Sequence, residues 1–362
     1  MTWLAQRDED GTVSWAGGGG APAGNLGRGT IVMDLDLSAF ARARAPLVRL
    51  LPQLEPRRMF VVEPYSDGRL HLLRRKGRAV SHLSIGLGRE PVSGRLRLSY
   101  HWDCARRRSL LTAENLTKGT IRQFETGDAI ALGRDEIEAL LASEHDCQRH
   151  PLLGWIGIAD HWQTIGPVPG LMPAARVETP DGPRRVAELR PGDLVETADH
   201  GPLPVLWQGR IMAPAMGSFR PVRLVAPYFG LERDLVVQPA QRIRLFGTDV
   251  EYNFAEDEVI AEARHLVNGE TAVWEPTGGA RPWHGLLFDR HALIRAEGVW
   301  TESLYLGRLA RNADLAVATA PGALARRGAL PVHSRPVRRE LLEYEAKALG
   351  LSRLRSRSIL AA

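Results

Sequence analysis

A chain of 362 residues with 44% hydrophobic content is long enough and apolar enough to bury two cores. Its formal charge of +5 sits at one end: residues 321–362 carry 9 Lys and Arg against 3 Asp and Glu, leaving 38 against 39 elsewhere, which excludes a broadly basic nucleic-acid-binding face. No stretch has the length and apolarity of a membrane span, and the charged start, Met1 to Asp10, lacks the apolar core of a Sec signal peptide. The expectation is therefore a protein that is cytoplasmic or exported without a Sec signal peptide.

With 36 glycines and 24 prolines, many short strands joined by tight turns suit the chain better than long helices, and the predicted fold class is mainly β. Residues 1–28, with the run Gly17 to Gly20, read as a flexible N-terminal segment with little core-forming power. From Gly29 the segments TIVMDLDL, RMFVVEPY and RLHLLRRK alternate with turn signals such as Asp67-Gly68. In RLRLSYHW, Leu96, Leu98, Tyr100 and Trp102 alternate with Arg95, Arg97, Ser99 and His101, the pattern of a strand with one buried face. A short helix is predicted at Arg134 to Ala142, where Ile137, Leu140 and Leu141 fall at helical spacing. Residues 29–162 thus read as an antiparallel β-sandwich of jelly-roll or lectin-like character. Cys104 and Cys147 have no partner at metal-ligand spacing, so neither zinc nor a disulfide framework is expected, and no cofactor is expected either.

The Pro/Gly-rich stretch 163–169 reads as a linker and the domain boundary. Beyond it, strands become shorter and turns more frequent, as at Asp181-Gly182 and Arg190-Pro191-Gly192-Asp193, indicating a compact, convoluted β domain over residues 170–320. The remainder, 321–362, reads as a basic tail with a helix over 336–349, begun by Pro336 and stopped by Gly350.

Four blocks carry a resemblance: GLMPAARVETPDGPRRVAELRPGDLVETADHGPLPVLWQGR, LVVQPAQRIRL, EARHLVNGE and HGLLFDRHALIRAEGVWTESLYLG. In this order they resemble the Hint (hedgehog/intein) domain of alphaproteobacterial proteins, in which a lectin-like sandwich often precedes the domain. The resemblance implies a self-processing fold. A thiol or hydroxyl at its first residue attacks the preceding carbonyl, and a histidine in a Ser/Thr-Pro-x-His block protonates the departing nitrogen. Here the first position falls on Gly170, and no Cys, Ser or Thr lies between Gly166 and Arg176. Gln238-Pro239-Ala240-Gln241 occupies the histidine block and puts Gln241 where the acid belongs; a carboxamide cannot serve as an acid near neutral pH.

The family pattern is retained at His265 and at Asp289, Arg290 and His291, while Gly285 stands where another histidine is often found and His284 lies one place early. His291 between apolar neighbours reads as a structural residue or a catalytic remnant, Glu302 as a turn anchor, and Asp193 as shaping the turn after Pro191-Gly192. The leading expectation is a degenerate, non-cleaving Hint module with a structural or interaction role toward a protein or surface partner. Two alternatives remain open: autoprocessing near Pro169-Gly170, and carbohydrate binding by the sandwich through Trp102, Trp155, Trp162 and the loop around Asp67, with core packing the competing role of Trp102.

Overall fold

Alternating apolar residues in the first half place two sheets face to face. The computed structural model describes residues 2–18, 20, 24–37, 45–52, 57–65, 67–88 and 94–360, with side chains as far as Arg353. The chain forms two units, one of residues 1–163 with 216–218 and 278–280, the other of 164–215, 219–277 and 281–362.

In the first unit a seven-stranded antiparallel sheet runs in the order 120–126, 108–115, 95–103, 28–36, 153–159, 3–7, 13–15, and a five-stranded sheet in the order 147–149, 48–50, 58–64, 69–76, 79–86. Register places Ile31 opposite Tyr100 and Met33 opposite Leu98. These residues pack with Phe60, Val62, Leu70, Leu72 and Leu83 of the other sheet into one dry core. Each such side chain contributes roughly 1.5–3 kcal/mol on leaving water. The helix Arg134–Ala142 forms where predicted. Glu136, at its third position, accepts from the Gly133 N–H at 2.7 Å and pairs with Arg74 at 3.2 Å, both side chains being buried.

Two expectations for this unit fail. Residues 1–28 are not a flexible segment throughout: Trp3–Arg7 pairs with Leu153–Ala159 on one side and Val13–Trp15 on the other, burying Trp3 and Ala5. Five residues with alternating burial suffice for a strand when a sheet edge is waiting for them. Strand Arg95–Asp103 is buried on both faces rather than one. Arg97 Nη2 donates to Ser218 Oγ at 2.7 Å, which donates to Asp34 Oδ1 at 2.9 Å, and His101 Nε2 lies 2.9 Å from the Gln163 carbonyl. Polar residues go inside when each finds a partner there. Burial raises the Asp34 carboxyl above its ordinary value against the opposing pull of Arg97 and Ser218, and burial drives the His101 imidazole down to about 4.

The second unit is built on a nine-stranded sheet whose main path runs 184–185, 176–177, 293–296, 299–302, 242–246, 258–262, 339–340, with the hairpin 194–197/201–204 joined to 293–296. A three-stranded sheet, 235–237, 222–224, 272–274, closes over it. Val177, Val195, Val237, Ile243, Leu286 and Phe288 form its core.

The stretch 163–169 is more than a linker, because Ile165 is buried and its N–H donates to the Ala318 carbonyl at 3.1 Å. Nor is 321–362 a separate tail. Arg339–Glu340 adds a parallel strand beside Glu258–Glu262, and Leu341, Ala346 and Leu349 enter the core. The final helix spans Glu343–Leu360 rather than 336–349. Pro336 precedes the added strand, and the helix starts where Glu345 accepts from the Leu342 N–H at 2.8 Å. Gly350 does not stop it, since glycine ends helices through a positive φ that Gly350 does not adopt.

Candidate functional site

Leu171 is held between two neighbours, bridging to His284 and to Val237, so Gly170 is fixed at the start of the second unit's fold. The Gly170 carbonyl accepts from the Gln238 N–H at 2.9 Å, and the Gln241 N–H donates to the Gln238 carbonyl at 2.9 Å, bringing the QPAQ turn beside it. The side chain of Gln241 fills what would be the side-chain space of residue 170: a Cβ added to Gly170 would stand 1.8 Å from Gln241 Oε1 and 2.7 Å from its Cδ. Thr301 Oγ1 donates to the Arg242 carbonyl at 2.8 Å, so toward Gln241 it acts as acceptor. Gln241 Nε2 supplies that donor at 2.7 Å and also donates to the Glu302 carbonyl at 2.8 Å. Both amide protons are thus committed on one side, and Oε1 points at Gly170.

Glu302 continues the network. Arg242 Nη1 meets both of its carboxylate oxygens at 3.0 Å, and Arg242 Nε reaches Glu340 at 2.8 Å. His291 Nδ1 accepts from the Val337 N–H at 2.9 Å, which assigns the ring proton to Nε2, 3.3 Å from Glu302. Burial alone would raise the Glu302 carboxyl; Arg242 and His291 outweigh it and hold the group below its ordinary range. Burial pushes Glu262 up despite Arg264 and Arg242. His291 also lies against Tyr305, ring centroids 4.6 Å apart, and His333 stands 6.1 Å from His291 and 6.3 Å from Tyr305, so the three rings form a triangle.

Of the residues singled out in the sequence, Gly170, Gln241, Glu302 and His291 fall on one connected path. His265 lies at its margin, 3.8 Å from Glu262, whose neighbour Ala263 donates to the Gln241 carbonyl at 2.9 Å. Asp289 is exposed beside Arg290 at 3.3 Å and does not join them. His284 Nδ1 accepts from Gln208 Nε2 at 2.7 Å. At Gly285 a Cβ would meet the Pro169 ring at 3.0 Å, so the histidine of the family pattern would press on the residue before Gly170. Asp193 braces its turn by accepting from the Arg190 N–H at 2.8 Å. Thr301, Arg242, Tyr305 and His333 escaped sequence reasoning; the local signal was the polar run Thr301-Glu302-Ser303 between Trp300 and Leu304.

The tryptophans proposed to stack on sugars are differently placed. Trp102 is buried in the core, Trp155 is 2% exposed, and Trp162 is half-buried with its indole N–H on the Trp102 carbonyl at 2.9 Å. Arg338, Arg339 and Arg353 of the basic end pair with Asp199 at 2.7 Å, Glu345 at 2.7 Å and Asp249 at 2.6 Å. No helix of the described residues is long and apolar enough to cross a membrane.

A comparison with curated proteins finds no match. Among solved structures, a splice-inactive variant of the AceL NrdHF class 3 split intein is 11% identical, covering 38% of this chain and 100% of its own, with a TM-score of 0.29. The MchDnaB-1 intein is 16% identical over 37% of this chain and 99% of its own, with a TM-score of 0.25. The CBM40 of a Ruminococcus gnavus IT-sialidase, bound to α2,3 sialyllactose, is 12% identical over 38% of this chain and 77% of its own, again with a TM-score of 0.25. The profile of the Hint domain family matches residues 169–308. The chain is thus a mainly β protein in which an N-terminal antiparallel β-sandwich is followed by a region, residues 169–308, that matches the Hint domain family.

Proposed function

We propose that this Hint domain is a non-cleaving module with a structural or interaction role, in which the machinery for breaking the 169–170 peptide bond has been replaced by packing. The observation that carries this reading is the fit of Gln241 against Gly170. A nucleophile needs a Cβ at residue 170, and the carboxamide oxygen stands 1.8 Å from that point. The residue that displaces the nucleophile also replaces the acid, so one side chain accounts for both losses. A glutamine whose two amide protons are bound to Thr301 and the Glu302 carbonyl has none to give a leaving nitrogen.

Intact mass tests the proposal. The purified chain should stay at 39.9 kDa for days in the presence of thiol; a break at Pro169-Gly170 would establish autoprocessing instead. The double change Gly170→Cys with Gln241→His should restore measurable thiol-dependent cleavage, because it supplies the nucleophile, the acid and the altered packing together. Gly170→Cys alone should yield none. Cleavage by that single variant would show that Gln241 does not close the site.

A further inference from the structure

The five-stranded sheet carries a second cluster of ring nitrogens that the Hint site does not use. Strands Arg69–Lys76 and Ala79–Gly86 are antiparallel neighbours, with His71 opposite Ser84 and Leu73 opposite His82. His71 and His82 are therefore diagonal on one face, and that face points away from the core occupied by Leu70, Leu72, Leu83 and Ile85. His71 Nδ1 lies 2.9 Å from His82 Nε2, the rings inclined by 25°. His82 is exposed and His71 half-buried beneath the Tyr65 ring, centroids 4.1 Å apart.

We propose that His71 and His82 form a surface site for a divalent ion that takes imidazole nitrogens in tetragonal geometry, Cu2+ or Ni2+. Two nitrogens bound at about 2.05 Å in adjacent tetragonal positions stand about 2.9 Å apart, whereas tetrahedral positions hold them about 3.3 Å apart. The observed separation is the first of these. The outer shell is already in place. Ser84 Oγ lies 3.3 Å from His71 Nε2 and accepts from Arg69 Nε at 2.7 Å. A proton on His71 Nε2 directed at Ser84 leaves the Nδ1 lone pair on the side of His82, as a ligating histidine requires. His82, now donating through Nε2, shifts its proton to Nδ1, which faces solvent, and both rings turn slightly to aim at the ion. Among the described residues no group of three or more His, Cys, Asp and Glu is placed to hold a metal, so water completes the coordination and the ion exchanges freely.

The test is a titration of the untagged full chain with Cu2+ by calorimetry, followed by electron paramagnetic resonance. The expected result is one saturable Cu2+ per chain with splitting from two imidazole nitrogens, Ni2+ at the same place, and Zn2+ bound more weakly. His82→Ala and His71→Ala should abolish the two-nitrogen signal, and Ser84→Ala should weaken binding about tenfold. The metal-free melting temperature of each variant, or of His82→Gln where alanine perturbs the sheet, reports folding. No saturable Cu2+ binding, a spectrum unchanged in His82→Ala, or tighter binding of Zn2+ than Cu2+ would overturn the proposal.

Discussion

Both units bury ion pairs, Arg74 with Glu136 in the first and Arg242 with Glu302 in the second, but a buried carboxyl in each is perturbed in the opposite direction. In the sandwich burial prevails at two groups: the Asp34 carboxyl is raised and His101 is driven down to about 4, each tolerated because a hydrogen-bond partner is supplied. In the Hint domain Glu302 is equally buried, yet Arg242 and His291 hold its carboxyl below its ordinary range. His101 lies on the face of its strand opposite the dry core, covered by the segment around Gln163. The Hint domain keeps an ion-pair network beside the contact between Gly170 and Gln241. The charge of Glu302 is accounted for by the partners that hold it, Arg242 and His291.

The largest effect should come from breaking that network. Glu302→Gln leaves the Arg242 guanidinium without its main carboxylate and should cost the second unit about 3–5 kcal/mol, read from urea unfolding followed by hydrogen exchange in strand Arg242–Phe246. A loss under 1 kcal/mol would mean that Glu340 alone satisfies the arginine. In the sandwich, Leu98→Ala should cost about 2–5 kcal/mol through a cavity in the dry core, with the second unit's exchange unchanged.

Acid should separate the units next. A histidine with a lowered folded pKa contributes stability that is complete above the unfolded value of 6.5 and is lost as pH falls toward 4. The His101 contribution should therefore fall by about 3 kcal/mol across that window, offset in part by Asp34, whose raised carboxyl binds its proton more tightly in the folded state, and His101→Gln should remove the fall. Glu302 behaves as a depressed carboxyl: its contribution is present above about 4.5 and declines only as pH falls through its lower folded value. Exchange protection in the sandwich should fail at a higher pH than the part of the second unit's loss that Glu302→Gln removes; the reverse order would contradict both assignments. The smallest effect belongs to Gly170→Ala, whose Cβ meets Gln241 and should cost about 1–3 kcal/mol. Adding Gln241→Ala should recover part of it, and strict additivity in that double-mutant cycle would show that the two residues do not press on each other.

Much of this comparison was legible before folding. Alternation found the sandwich strands, helical spacing found Arg134–Ala142, and ordered motifs found the region that matches the Hint family. Other features required neighbours that sequence cannot supply. Arg97, Ser99 and His101 look like a solvent face, and only the segments around Ser218 and Gln163 turn that face inward. Trp3–Arg7 is too short to announce itself and is a strand because Leu153–Ala159 offers an edge. At the site, Gln241 could be read as a lost acid, but its occupation of the space beside Gly170 depends on a turn, and its partner Thr301 is 60 positions away.

The close fit of Gln241 to Gly170 also orders history. A thiol arriving at residue 170 first would meet an occupied space, and a histidine arriving first at 241 would have nothing to protonate for. Neither step is rewarded alone, and the Pro169 ring on Gly285 adds a third obstacle. A side chain at residue 170 would therefore need residue 241 to shrink or move first.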